Sequence, residues 1–165
     1  MNEIRARYKG FLSALLAVMP TMVMGEVVLD GGTGVANSLS GPTFEITESL
    51  GTVRGDNLLH SFSSFNIAVG EHARFTHDSA GIRNILARVT GAQNSVLDGT
   101  VSATANLWLL NPNGVVIGDS AILDVAGVFN HSGSGLDRGD ILFLDDGTVF
   151  SIDADLNTLS IADPL

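Results

Sequence analysis

The side chains best suited to chemistry in this 165-residue chain are carboxylates. Asp145 and Asp146 are adjacent, and Asp153 and Asp155 follow closely. Paired carboxylates can divide general acid and general base work on a glycosidic bond. Hydrolases that act this way on acidic polysaccharides also bring His and Arg or Lys near the acids, and here no basic residue follows Arg138. The four acids stand among turn residues, where Asp is favoured for local hydrogen bonding. His72 and His77 are flanked by Glu71 and Asp78, but no further spacing completes a tetrahedral metal site. Asp137, Asp140, Asp145 and Asp146 would attract Ca²⁺ only weakly. Gly31-Gly32-Thr33-Gly34 lacks the Asp of a calcium-binding nonapeptide, and no Gly-x-Ser-x-Gly elbow activates a serine. The expectation is a protein with no catalytic residues, cofactor or metal, whose chemistry is recognition.

The best candidate for recognition is Asn111-Pro112-Asn113-Gly114. Asn at the first position, Pro at the second and Gly at the fourth suit a type I turn. Apolar runs on both sides, Leu107–Leu110 and Val115–Ile117, make it a corner between two buried strands. Similar short runs recur along the chain between Gly, Asn, Asp and Ser. Predicted strands are 26–29, 44–47, 57–61, 65–69, 73–76, 82–90, 95–97, 100–102, 106–110, 115–117, 121–125, 127–129, 141–143, 148–152 and 158–161. The 15 Val, 10 Ile, 11 Thr and 19 Gly point the same way, to an all-β fold. Val96–Thr100 and Val115–Asp119 are offset by 19 residues, and Val128-Phe129 and Thr148–Phe150 recur after about 20 more. That period suits a β-solenoid with rungs about 4.8 Å apart. Periodicity alone leaves an ordinary sandwich equally open.

The N-terminal segment is an address. Arg5, Arg7 and Lys9 precede Phe11–Met24, 14 residues without charge. This is the order of a secretory signal peptide, with Val23 and Gly25 as small residues before the cut, so residues 1–25 are expected to be removed. The stretch, interrupted by Pro20, is shorter than the ~20 residues a membrane span needs. The whole chain has 8 basic and 18 acidic residues, a net charge of −10. Residues 26–165 keep five arginines against 17 acids, a net −12, and no lysine. Phosphate backbones demand clustered cations, so nucleic acid is excluded as a partner. A hydrophobic content of 45% excludes intrinsic disorder. The chain has no cysteine, which is compatible with passage of an unfolded polypeptide through an oxidising periplasm.

Four segments, taken in order, resemble the two-partner secretion domain, also called the filamentous haemagglutinin N-terminal or haemagglutination activity domain. Glu26–Asp30 is similar to the strand that begins the mature exoprotein. His60-Ser61-Phe62-Ser63-Ser64-Phe65-Asn66-Ile67 is similar to the family's H-S-F-x-x-F-N-V stretch. Asn84–Gly91, continued by Leu97-Asp98-Gly99, resembles its N-I-x-x-R-V-T-G…I-D-G region. Asn111–Gly118 matches the Asn-Pro-Asn-Gly-Ile motif, with Val115 in place of Ile. The likeness covers residues 26–130, and a second family motif, Asn-Pro-Asn-Leu, is absent.

The resemblance implies a right-handed parallel β-helix, a single-stranded solenoid with an N-terminal cap and extra-helical β-hairpins. It implies a secretion signal in residues 26–165, read by an outer-membrane β-barrel transporter with periplasmic polypeptide-transport-associated domains. The product would reach the medium or the cell surface and could meet a host or neighbouring cell. Family members are large exoproteins with this domain in front, so a 165-residue chain implies a truncation or fragment. The recognition residues implied are Asn111, Pro112, Asn113, Gly114, Phe62, Phe65 and Asn66. Each has a structural alternative: the phenylalanines as packing beneath the cap, the asparagines as corner residues. Trp108 is expected in the core or a stacked ladder, and Arg88 beside a carboxylate. The competing functions are a direct surface or carbohydrate-binding adhesin module and a polysaccharide-active β-helix enzyme.

Overall fold

The structure is a computed structural model that describes residues 24–132, 141–143, 149–152 and 159–162. The expected leader lies outside this range except for Met24 and Gly25. So do Asp137, Asp140, Asp145, Asp146, Asp153 and Asp155.

The strands are β1 (Glu26–Asp30), β2 (Ala36–Leu39), β3 (Thr43–Thr47), β4 (Thr52–Arg54), β5 (Asn57–Asn66), β6 (His72–Thr76), β7 (Asn84–Val89) and β8 (Ser95–Leu97). They continue with β9 (Thr100–Ala103), β10 (Asn106–Leu110), β11 (Val115–Ile117), β12 (Ile122–Val125) and β13 (Phe129–Ser132). Last come β14 (Ile141–Phe143), β15 (Val149–Ile152) and β16 (Leu159–Ala162). A single 3-10 turn, Glu48–Leu50, joins β3 to β4.

The chain winds as a parallel β-helix of about three turns. One face stacks β5, β7, β10 and β13 in parallel, a second stacks β3, β6, β9 and β12, and a third pairs β8 with β11. Parallel ladders between successive coils exclude the antiparallel sandwich. In the first coil the third face is reduced to a single bridge, Ile67 to Leu97. The N-terminal cap is antiparallel: β1 pairs with β5 from Phe62 to Asn66, β4 pairs with β5 from Asn57 to Leu59, and β2 flanks β1. Together β1 and β4 cover most of the edge of β5 that faces away from β7, leaving only the short stretch at His60 and Ser61 between them.

Register corrects the expected period. Val115 lies beside Ser95, not Val96, so the offset at that corner is 20 residues, and 19 is a one-residue slip. It is 22 from β7 to β10 and from β9 to β12, and 27 from β5 to β7. The first coils carry longer corners, which is why a fixed period was faint. Segments 57–61 and 65–69, expected as two strands, run together as β5 up to Asn66. β2 and β4 had no strong apolar run and were not expected. β15 pairs antiparallel with β14 and β16 and is not a further rung.

Alternation along each strand sends one set of side chains into the solenoid. Leu58, Phe62, Ile85, Ala87, Val89, Leu107 and Leu109 fill the core from the first face. Phe44, Ile46, Ala73, Phe75, Val101 and Ala103 fill it from the second. On the opposite side of the first face, Leu59, Leu86 and Trp108 stack in register as a separate row, and the indole is part-buried. That places Trp108 in a stacked ladder and not in the core.

Asparagines at the start of each strand tie the coils together. Asn84 Nδ2 donates to Asn57 Oδ1 at 2.9 Å, Asn106 Nδ2 donates to Asn84 Oδ1 at 3.1 Å, and Val128 N donates to Asn106 Oδ1 at 2.9 Å. This ladder crosses three coils at one corner. Asn84→Ala removes both of its bonds from a nearly buried position and is expected to cost about 2 kcal/mol. A urea unfolding midpoint lowered with an unchanged slope checks this.

Candidate functional site

The corner at Asn111 forms as its residue types dictate. Gly114 N donates to Asn111 O at 3.0 Å, closing the turn, and Asn113 N donates to Asn111 Oδ1 at 2.9 Å. Gly114 has φ +102°, a conformation that favours glycine. The side chains then reach back one coil. Asn111 Nδ2 donates to Gln93 O and Ser95 Oγ, both at 3.0 Å, and Asn113 Nδ2 donates to Gly91 O at 2.8 Å. Ser95 N donates to Gly114 O at 3.0 Å, which starts the β8–β11 ladder. Asn111 is fully buried. The turn therefore fixes the register of the second and third coils.

Asn66 performs the matching task one coil earlier. Its Oδ1 accepts from Val96 N at 2.8 Å, while Ile67 N donates to Val96 O at 2.9 Å. A side-chain amide thus stands in where the first coil lacks a strand. Phe62 and Phe65 are 0% and 1% exposed, with ring centroids 5.1 Å apart. Phe75 lies 6.4 Å from Phe62 and 5.8 Å from Phe65, so the three rings form one cluster beneath the cap. The structure thus distributes the seven candidate residues between two neighbouring corners and the core, and forms no single surface from them.

Two buried polar features join this assembly. His60 lies 6.2 Å from Phe62 and 5.8 Å from Phe75, ring to ring, and neither ring nitrogen has a hydrogen-bond partner. Burial pushes its pKa down to about 4. Asp30, at the end of β1, accepts from Ser61 Oγ at 2.8 Å, Thr90 Oγ1 at 2.7 Å and Gly32 N at 2.7 Å. Arg88 donates to Ser61 Oγ from Nε at 3.1 Å and from a terminal nitrogen at 2.9 Å. Burial raises the Asp30 pKa, but the bonds from Thr90, Gly32 and Ser61 and the charge of Arg88 outweigh it and hold the carboxyl below its usual value. The expected carboxylate near Arg88 is Asp30, reached through Ser61, and the network clamps the cap to two coils.

The other sequence candidates are held separately. His72 Nε2 bonds Ser102 Oγ at 2.7 Å, and His77 Nδ1 bonds Ser79 O at 3.1 Å. Glu48 accepts from Asp78 N, Ser79 N and Ser79 Oγ, fastening the 3-10 turn to the corner after β6. Sequence reasoning missed the ladder of Asn57, Asn84 and Asn106. The signal was present as Asn-Leu-Leu, Asn-Ile-Leu and Asn-Leu-Trp at strand starts.

His60 gives a test with a defined sign. Its folded pKa lies below the ordinary 6.5, so the unfolded chain binds more protons between the two values. Its contribution to stability is complete above pH 6.5 and declines as pH falls toward 4, by about 3 kcal/mol in all. His60→Leu is expected to flatten unfolding free energy across that window. The Asp30 contribution, from a lowered carboxylate pKa, declines only at lower pH, as it falls below 3.8. Chemical denaturation at pH 7, 5.5 and 4 separates the two.

Comparison with known proteins accords with this geometry. The TPS secretion domain family matches residues 26–165. The chain is similar to the heme/hemopexin-binding protein of Haemophilus influenzae, 38% identical over 68 residues, which are 40% of this chain and 7% of that protein. The chain thus spans a small fraction of the length of this curated relative. TPS domain proteins are secreted through the outer membrane to the cell surface or the medium. From the solenoid, the cap and the family match over residues 26–165, the chain belongs to the TPS secretion domain family.

Proposed function

We propose that residues 26–165 are read by an outer-membrane transporter as an extended chain, and that folding outside the cell then withdraws the signal and starts a longer β-helix. The transporter's periplasmic polypeptide-transport-associated domains are the expected receptor. The observation that carries this reading is the burial of three of the seven candidate recognition residues, although Asn113 stays exposed and Asn66, Pro112 and Gly114 are half-buried. Asn111 and Phe62 are 0% exposed and Phe65 is 1% exposed. A receptor meeting the folded domain has no access to these three side chains, whereas a receptor meeting the extended chain meets all seven candidates. Folding removes the three and opposes return through the pore.

The second half of the proposal rests on the open end of the solenoid. Leu97 and Val101 are fully buried, but Ile117 and Leu123, their counterparts one coil later, are 43% and 38% exposed. Inward-facing apolar side chains remain uncovered on β11 and β12, and a following coil would bury them while pairing with the same strands. The domain is a signal and a template, and it performs no catalysis. Binding of heme or hemopexin belongs to the relative, of which this chain matches 7% of the length.

Co-expression of residues 1–165 with a cognate transporter is expected to place the chain in the medium. Scrambling Asn111–Gly114 is expected to reduce export at least tenfold, whereas Asn84→Ala, which weakens the fold outside the motif, leaves export largely intact. Equal export without the transporter, or with the motif scrambled, would falsify the signal role.

A further inference from the structure

Glu71 holds the backbone just ahead of β1. It is only 8% exposed, and its Oε2 accepts from Gly25 N and Ala68 N, both at 2.9 Å. Its backbone is fixed as well: Glu71 N donates to Ala68 O and Thr100 N donates to Glu71 O. A cavity of about 750 Å³ opens beside it, lined among others by Met24, Pro42, Ile67, Val69 and Val96. Among the described residues, no Lys or Arg lines that cavity. Gly25 is pressed against it, since a Cβ there would stand 2.0 Å from Glu71 Oε2 and 2.5 Å from Asn66 O.

We propose that Glu71 is the receiving site for the α-ammonium created on Glu26 when the leader is removed after Gly25. In that hydrolysis water divides across the Gly25–Glu26 amide. Its hydroxyl goes to the Gly25 carbonyl carbon and its hydrogen to the Glu26 nitrogen, which takes a further proton from solvent. Gly25 departs with the leader, so Glu71 exchanges one amide donor for a full positive charge. The Glu26 nitrogen lies one residue, about 3.5 Å, along the chain from the donor it replaces. The vacated space where Gly25 was pressed against the carboxylate lets the two approach. An ion pair with little solvent access then fastens β1 to the first coil, so maturation of the N-terminus strengthens the cap. The other ionisable groups around the site are acidic or already engaged. They are Asp98, which accepts from Ser120 N, the exposed Glu26 side chain, and His72, whose Nε2 bonds Ser102 Oγ. The inference rests on the leader reading and not on transporter recognition, and it is tested on purified protein so that either can fail alone.

The chain from Glu26 contains no lysine, so its N-terminus is its only primary amine. Reductive ¹³C-methylation therefore labels one site and keeps its charge. The labelled amine is expected to titrate above the ordinary range of about 7.7–8.0, and a midpoint within or below that range overturns the proposal. A chain starting at Glu26 is expected to melt about 3 °C higher at pH 6.5 than the same chain with its amine acetylated. The advantage is present below the unfolded amine's pKa and is lost as pH rises through the folded value, so it vanishes by pH 10.5. In Glu71→Gln it is absent at every pH. Equal melting at pH 6.5, or a difference that survives in Glu71→Gln or at pH 10.5, refutes the role.

Discussion

A parallel strand in a solenoid leaves half of its backbone hydrogen bonds to the coil above and half to the coil below. Everything else in this domain answers to that constraint. On the first coil β1 and β4 run antiparallel to β5 and cover its upper edge at residues 57–59 and 62–66. The third face of that coil has no strand at all, so Asn66 and Ile67 pair with Val96 in its place. Corners, where the backbone leaves the ladder, are completed by asparagine amides, which carry both a donor and an acceptor and can pass the pattern from coil to coil.

The same constraint explains why the residues proposed as the export signal are structural. Asn111 bonds forward to Asn113 and backward to Gln93 and Ser95, so its side chain is fully occupied when coils two and three are stacked. Phe62 and Phe65 close the core under the cap. A residue cannot be both buried in the native state and a contact surface for a receptor of that state. Two roles for one residue are compatible only if they act at different times, recognition before folding and structure after it. The acidic balance of residues 26–165 would limit adhesion to anionic membrane surfaces.

How much of this was legible in the sequence depends on where each signal sat. The all-β class followed from β-branched runs and turn residues, and the Asn111 corner followed from turn chemistry that local sequence decides. The period did not, because the first coils are 27 residues apart at β5–β7 and the later ones 22 or 20. Aligning Val96 with Val115 by apolar character missed the true register by one, since Val96 and Val116 point outward while Leu97 and Ile117 point in. The asparagine ladder was visible only as a residue type preceding an apolar pair, and polar residues outside a turn motif carry no periodic hydrophobic signal. β2 and β4 escaped because Ala36–Leu39 and Thr52–Arg54 gain strand structure by pairing with β1 and β5, a tertiary cause that local propensity does not contain.

The two ends of the described solenoid are finished differently, and the difference gives the fold a direction. At the upper end Asp30, Ser61, Thr90 and Arg88 form a part-buried polar network specific to one arrangement of cap and coils. Such a network tolerates no substitute partner, since each donor left unmatched carries a desolvation cost. At the lower end β11 and β12 present Ile117 and Leu123, apolar side chains that accept any coil of suitable shape and pitch. Specific polar closure above and permissive apolar stacking below give the two ends opposite chemical character.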